Sequence, residues 1–118
     1  MQFKYYRKEI RMNSLTLVGV LKKYPELEEL KNGKKQYRFI VEAEKNFRNE
    51  DGSIEKELYE CVIWRGIADT IISVCEEGQL LGIRGRLQPR RLEISENGSD
   101  YVAEIVAEKI SILETREG

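Results

Sequence analysis

Between Gln36 and Glu44 the side chains alternate, with Tyr37, Phe39, Val41 and Ala43 in one register and Arg38, Ile40, Glu42 and Glu44 in the other. A period of two puts the sets on opposite faces of an extended chain, which predicts a half-buried strand with one wet face. Leu15 to Leu21 reads as an earlier strand, expected to end at Lys22-Lys23 because Pro25 stops regular pairing. Leu58 to Trp64, rich in β-branched and aromatic residues, is a third strand; Tyr59, Cys61 and Ile63 share a face and are candidates for the core or a subunit interface. The period then changes. Ile67, Ala68, Ile71, Ile72, Val74 and Cys75 form an apolar stripe at helical spacing, with Asp69, Thr70 and Ser73 opposite. This predicts a helix from Gly66 to Glu77 closed by Gly78. Gln79 to Leu87 is a fourth strand whose Gly82 and Gly85 mark a bend or bulge, and Tyr101 to Ile110 is the fifth and structural one. Asn32-Gly33, Asn49 to Gly52 and Asn97-Gly98 supply turns between neighbouring strands. Strand, strand, strand, helix, strand, strand fits an all-β domain: a small closed barrel with one helix beneath it.

The chain of 118 residues is long enough for one packed domain and too short for two. Its net charge of −1, with 35% charged residues, rules out a global basic field, so a polyanion partner would need a local basic patch. Cys61 and Cys75 lie in apolar runs and read as buried hydrophobes in a reducing compartment; with no histidine, neither metal nor cofactor is expected. No stretch approaches the roughly 20 apolar residues of a membrane span, and a cytoplasmic location is expected. Residues 1–11 are basic and aromatic, without a signal-peptide centre. They are an adventitious extension, an arm that touches nucleic acid, or an added edge strand.

Arg84, Arg86, Arg90 and Arg91 place four guanidinium groups within eight residues. Planar five-donor forks suit phosphate oxygens and stack on flat bases. An exposed edge strand kept soluble by charge has the same composition, so the run alone leaves both readings open.

Several stretches resemble bacterial single-stranded DNA-binding proteins: Met12-Asn13 before Leu15 to Gly19, Pro25-Glu26-Leu27, Cys61 to Trp64 leading into Ile67-Ala68, Gly85-Arg86-Leu87-Gln88 with Arg90, and Tyr101 to Lys109. The resemblance covers a domain from residue 12 to 114 and implies a five-stranded OB-fold barrel, agreeing with the element order read from periodicity. It further implies sequence-independent binding of single-stranded DNA in replication, recombination or repair, close to the nucleoid, by a homo-oligomer with a tetramer favoured over a dimer. Phe47 and Trp64 fall at the family's stacking positions, ringed by Lys45, Arg48, Arg84, Arg86, Arg90 and Arg91; Lys34 and Lys35 join them on charge alone. Bases stack on aromatic faces whatever their identity, at about 1–3 kcal/mol each, while cations follow the backbone.

The sequence departs from the family pattern at several points. Leu58 and Leu92 replace stacking aromatics, Glu60 and Glu28 stand where arginine or polar residues are usual, and Tyr59 and Pro89 put the tetramer geometry in question. Weakened binding is therefore expected. The family's acidic tail is not seen in residues 115–118, so no tail-mediated replication partners are expected. A dimeric adaptor resembling primosomal replication protein N, with weak single-strand binding, is the alternative. Enzyme chemistry is not expected: there is no histidine, no glycine-rich phosphate loop and no metal-ligand cluster.

Overall fold

The computed structural model describes residues 12–95 and 98–114, the side chains at 67, 69, 70, 91–101 and 114 excepted. Residues 1–11, Asn97 of the expected turn and residues 115–118 lie outside the described residues. The elements are β1 (Leu15–Glu29), β2 (Lys35–Arg48), β3 (Ile54–Trp64), α1 (Arg65–Ile72), β4 (Leu80–Ser95) and β5 (Gly98–Glu114). The strands close into a barrel in the order β1-β2-β3-β5-β4, with β4 returning to β1. All pairs are antiparallel except β3 with β5, which run parallel because α1 and β4 intervene.

The alternation in β2 sorts as predicted. Phe39, Val41 and Ala43 are buried, and Tyr37 packs against the core from its margin. Cys61 and Ile63 of β3 join them, with Leu81 and Ile83 of β4 and Ala107 of β5. From α1 and the turn after it, Ala68, Ile72 and Cys75 seal the barrel.

Beyond the longer β2, β3 and β5, which reach Arg48, back to Ile54, and from Gly98 to Glu114, three boundaries differ from expectation in ways that shape the site. β1 continues through Pro25 to Glu29. Its pairing with β2 slips between Leu21 and Lys23 and again between Lys23 and Glu26, so the buried proline sits in a bulge where no ladder donor is required. Tyr24 beside it donates its hydroxyl to the Ile72 carbonyl at 2.8 Å, tying β1 to the end of α1.

The helix stops at Ile72, not Glu77, and Val74 is exposed. The N–H groups of Val74 and Cys75 both reach the Ile71 carbonyl at 3.1 Å. The buried Gln79 side chain then accepts from Glu76 N at 2.8 Å and draws the chain into a turn. Gly78 takes the positive φ foreseen for it, at 92°, but in this turn, where its N–H donates to the Leu21 carbonyl.

Finally, β4 extends beyond Leu87 to Ser95, paired with β5 throughout. Its contact with β1 ends at the Leu15–Gly85 pair, so the outer part is a two-stranded ribbon leaving the barrel. At Arg84/Gly85 the register with β5 shifts, as a strand glycine suggested. A Cβ at Gly85 would lie 2.0 Å from the Val106 carbonyl oxygen. Just past this bulge, Asn13 Nδ2 donates to the Leu87 carbonyl at 2.6 Å and its Oδ1 accepts from Leu87 N at 3.0 Å. One amide thus imitates a further β pair and fastens the root of the ribbon.

Candidate nucleic-acid interface

Strand alternation puts Trp64, Glu60 and Leu58 on the face of β3 that looks away from Cys61 and Ile63. Across the ladder, Trp64 stands opposite Gln36, Val62 opposite Arg38 and Glu60 opposite Ile40, so these side chains share the sheet face that looks away from the core, with Val62 and Gln36 buried within it. Trp64 ends β3 and keeps 37% of its surface exposed. The turn after Gly33 delivers Lys34 to it, with Nζ 4.5 Å from the ring centroid. One ring face therefore carries a cation, an arrangement suited to a nucleotide whose base meets the ring and whose phosphate meets the ammonium. Lys35 begins β2 nearby and is exposed. Leu58, at a position where the resemblance expects an aromatic, is 62% exposed on the same face.

Sequence reasoning missed Arg38, which lies at the centre of this surface. Glu28 grips it through two bonds, Nη2 to Oε1 at 2.9 Å and Nε to Oε2 at 3.3 Å. Gln36 Nε2 donates to the same Glu28 Oε1 at 2.6 Å. Glu60 Oε2 is 3.5 Å from Arg38 Nη1, and Glu104 Oε2 is 3.7 Å from Nη2. Arg90, on the ribbon, brings Nε to 3.6 Å from that Glu104 oxygen. The hydrogen bond from Arg38 holds the Glu28 carboxyl below its ordinary value. For Arg38, burial opposes the charged form, but the bond to Glu28 and the fields of Glu28, Glu104 and Glu60 outweigh it and push the pKa up. Alternation had marked Arg38 as wet. Nothing local showed that three carboxylates from β1, β3 and β5 meet there.

Phe47 forms a second patch. It is 62% exposed near the end of β2, with Lys45 Nζ 5.8 Å from its ring centre. An open groove of about 660 Å³ runs beside it, lined also by Ala43, Lys45 and Tyr59. The groove is lined by both registers of β2, Ala43 as well as Glu44, and the pairing of β2 with β3 shifts between Glu44 and Arg48, so Phe47 lies beyond the regular ladder that carries Arg38 and Trp64. Phe47 and Trp64 mark opposite ends of β2, Phe47 near its last residue and Trp64 opposite Gln36 near its first. Lys45 is bound to Glu55 at 2.6 Å and Glu57 at 3.3 Å, and its bonds to them raise its pKa. Arg48 donates Nη1 to the Gly52 carbonyl and braces the β2–β3 turn.

On β4, Arg84 is exposed, and no ion pair to it forms among the described residues. Arg86 donates Nη1 to Gln88 Oε1 at 3.0 Å and lies 3.8 Å from Glu108. The side chains of Arg91 and Leu92 lie outside the described residues. The arginine run therefore lines one strand but divides between an exposed residue and ion-paired ones.

Burial pushes the Cys61 thiol up to about 12 and raises that of Cys75, so both act as packing groups. Among the described residues no helix is long and apolar enough to cross a membrane.

Comparison with known proteins adds the following. Residues 12–113 match the model of the Single-strand binding protein family. The chain is 37% identical over 105 residues to the single-stranded DNA-binding protein of Enterococcus faecalis, covering 89% of this chain and 56% of that one. It is 37% identical over 107 residues to that of Bacillus cereus, covering 91% and 63%. The chain thus spans less than two thirds of the length of these relatives. Among solved structures, a chain of a Plasmodium falciparum SSB complex with ssDNA superposes with a TM-score of 0.70 at 18% identity, covering 88% of this chain and 97% of that one. The five-stranded barrel is the oligonucleotide-binding fold.

Proposed function

Because the chain belongs to the Single-strand binding protein family, we propose that it binds single-stranded DNA without regard to sequence, in replication, recombination or repair. The observation that carries this reading is Trp64, exposed at a strand end with Lys34 against its ring and Arg38 on the same sheet face. A ring presents a stacking face to any base, and the neighbouring cations meet the backbone, so the site discriminates strandedness more than sequence. Phe47 with Lys45 offers a second contact at the far end of β2. A strand that visits both must run the length of β2, in keeping with the 4–16 or so nucleotides that one such fold occupies. Arg84, Arg86, Arg90 and Arg91 supply charge along β4, and Lys35 and Arg48 supply it at the two ends of β2.

Association of several copies, a homotetramer in preference to a dimer, would place several such sites on one strand and offset the weakness of each. Anisotropy of labelled oligo(dT), oligo(dA) and a duplex tests the reading. Similar affinity for both single strands and much weaker duplex binding is expected; equal or preferred duplex binding would overturn it.

A dimeric adaptor with weak single-strand binding is the second reading. It is favoured by the carboxylates of Glu28, Glu60 and Glu104 around Arg38 and by Leu58 in place of a ring. Sedimentation equilibrium separates them, since a dimer that binds oligo(dT) only weakly at low salt selects the adaptor.

A further inference from the structure

Arg38 uses its two edges differently. The edge formed by Nε and Nη2 is engaged by Glu28, whose fork fixes the guanidinium plane at 3.3 and 2.9 Å. Among the described residues, the remaining donor group, Nη1, meets only Glu60, at 3.5 Å, a long contact at the limit of hydrogen bonding. Behind the pair, Glu104 is nine-tenths buried, and its Oε2 has no hydrogen-bond partner; Arg38 and Arg90 flank it from 3.7 and 3.6 Å. That oxygen anchors both guanidinium groups electrostatically without consuming a donor of either. Glu60 differs from its neighbours because its side chain is 57% exposed, against 35% for Glu28 and 9% for Glu104. Two carboxylates therefore build the socket, and the third lies loosely across its open edge.

We propose that Arg38 is a phosphate contact of this chain and that Glu60 is a displaceable internal competitor for it, setting how tightly single-stranded DNA is held. The proposal rests on the single-strand binding reading and deepens it. An arriving phosphate takes the Nη1 edge, where a charge-assisted bond shorter than the present 3.5 Å can form. Glu60 swings into solvent, which its exposure permits. Glu28 and Glu104 stay in place, so the guanidinium is already oriented when phosphate arrives. Because Glu60 already neutralises part of Arg38, wild-type binding gains less from this cation than a free arginine would give. Its retreat also leaves a negative charge beside the strand.

The test is Glu60→Gln, at an exposed position that the fold does not depend on, against Glu76→Gln. The latter changes net charge equally at an exposed position in the turn after α1, with no ion pair to Arg38 among the described residues. Oligo(dT) affinity is measured for both and for wild type across a salt series. Glu60→Gln is expected to tighten binding by roughly 1.5- to fivefold at low salt, the range of one exposed ion pair. It should also steepen the slope of log K against log salt by about 0.7, the increment for one more phosphate neutralised on a single strand. Glu76→Gln should move neither. Arg38→Lys, which keeps the charge but loses the fork, should abolish the gain that Glu60→Gln otherwise brings. If wild type binds and Glu60→Gln matches Glu76→Gln in affinity and slope, the competitor role is refuted while single-strand binding stands. If none of the three binds oligo(dT), the functional reading falls and this inference with it.

Discussion

Replacing Gly85 by alanine tests the geometry on which the ribbon depends. Gly85 sits at the bulge where β4 leaves β1, and an added Cβ would meet the Val106 oxygen at 2.0 Å, the Val106 carbon at 3.0 Å and Ala107 Cα at 3.1 Å. All three are backbone atoms, so no side chain can swing aside; the strands must part by about 1 Å to restore contact distances. Overpacking of this kind costs about 1–3 kcal/mol. Loosening the adjoining ladder bond adds about 0.5–1.5 kcal/mol, for a total of roughly 2–4 kcal/mol. A domain of this size has only about 5–15 kcal/mol of stability in hand. With a urea m-value of about 1–3 kcal/mol/M, the unfolding midpoint should fall by about 1–2 M at fixed protein concentration. Gly66 makes the comparison decisive. It lies in the first turn of α1 with nothing within 4 Å of an added Cβ, so Gly66→Ala should raise stability by about 0.4–1 kcal/mol. A Gly85→Ala midpoint within about 0.2 M of wild type would refute the close approach of β4 and β5 and the bulge that aims the ribbon.

Other outcomes follow from single residues. Trp64→Ala should weaken binding of oligo(dT) and oligo(dA) alike, by about 1–3 kcal/mol or some five- to 150-fold in competition titrations, and a loss confined to one base would point to base readout instead. The Cys61 thiol, raised by burial from 9.0 to about 12, favours the folded state fully below pH 9; that contribution should fade as pH rises towards 12, and native Cys61 should resist alkylation until urea exposes it. Glu28, held below its ordinary 4.5 by Arg38, contributes stability above that pH which is lost as pH falls through its folded value, so Glu28→Gln should flatten the acid limb of a stability–pH curve. Asn13→Ala removes both bonds to Leu87 and should speed amide exchange at Leu87 while leaving Val41 in the barrel core protected.

What could be read from the sequence were features set by neighbouring residues. The two-residue period from Gln36 to Glu44 sorted Phe39, Val41 and Ala43 into the core because that face has no alternative burial. Gly85 marked its own bulge because no side chain fits there. The misplaced boundaries depend on partners far along the chain. Pro25 continues a strand because a slip in the β2 register removes the demand for its N–H, and Gln79, not helix propensity, determines how the chain turns after Ile72. The same limit applied to the candidate site. Phe47 and Trp64 were recognisable as exposed aromatics, yet only the ladder shows that they stand at opposite ends of β2. Arg38 was hidden because its partners Glu28, Glu60 and Glu104 come from three strands, and no spacing in the sequence joins them.

Trp64 is the only tryptophan in the chain, so its fluorescence reports on the Arg38 face alone. Titration with oligo(dT) at low salt, repeated with excess duplex as competitor, tests the central claim most directly. Saturable quenching that duplex fails to reverse, and that weakens with added salt, is the predicted result. An emission unchanged by oligo(dT) at low salt, or quenching that duplex abolishes equally well, would contradict single-strand binding on this face.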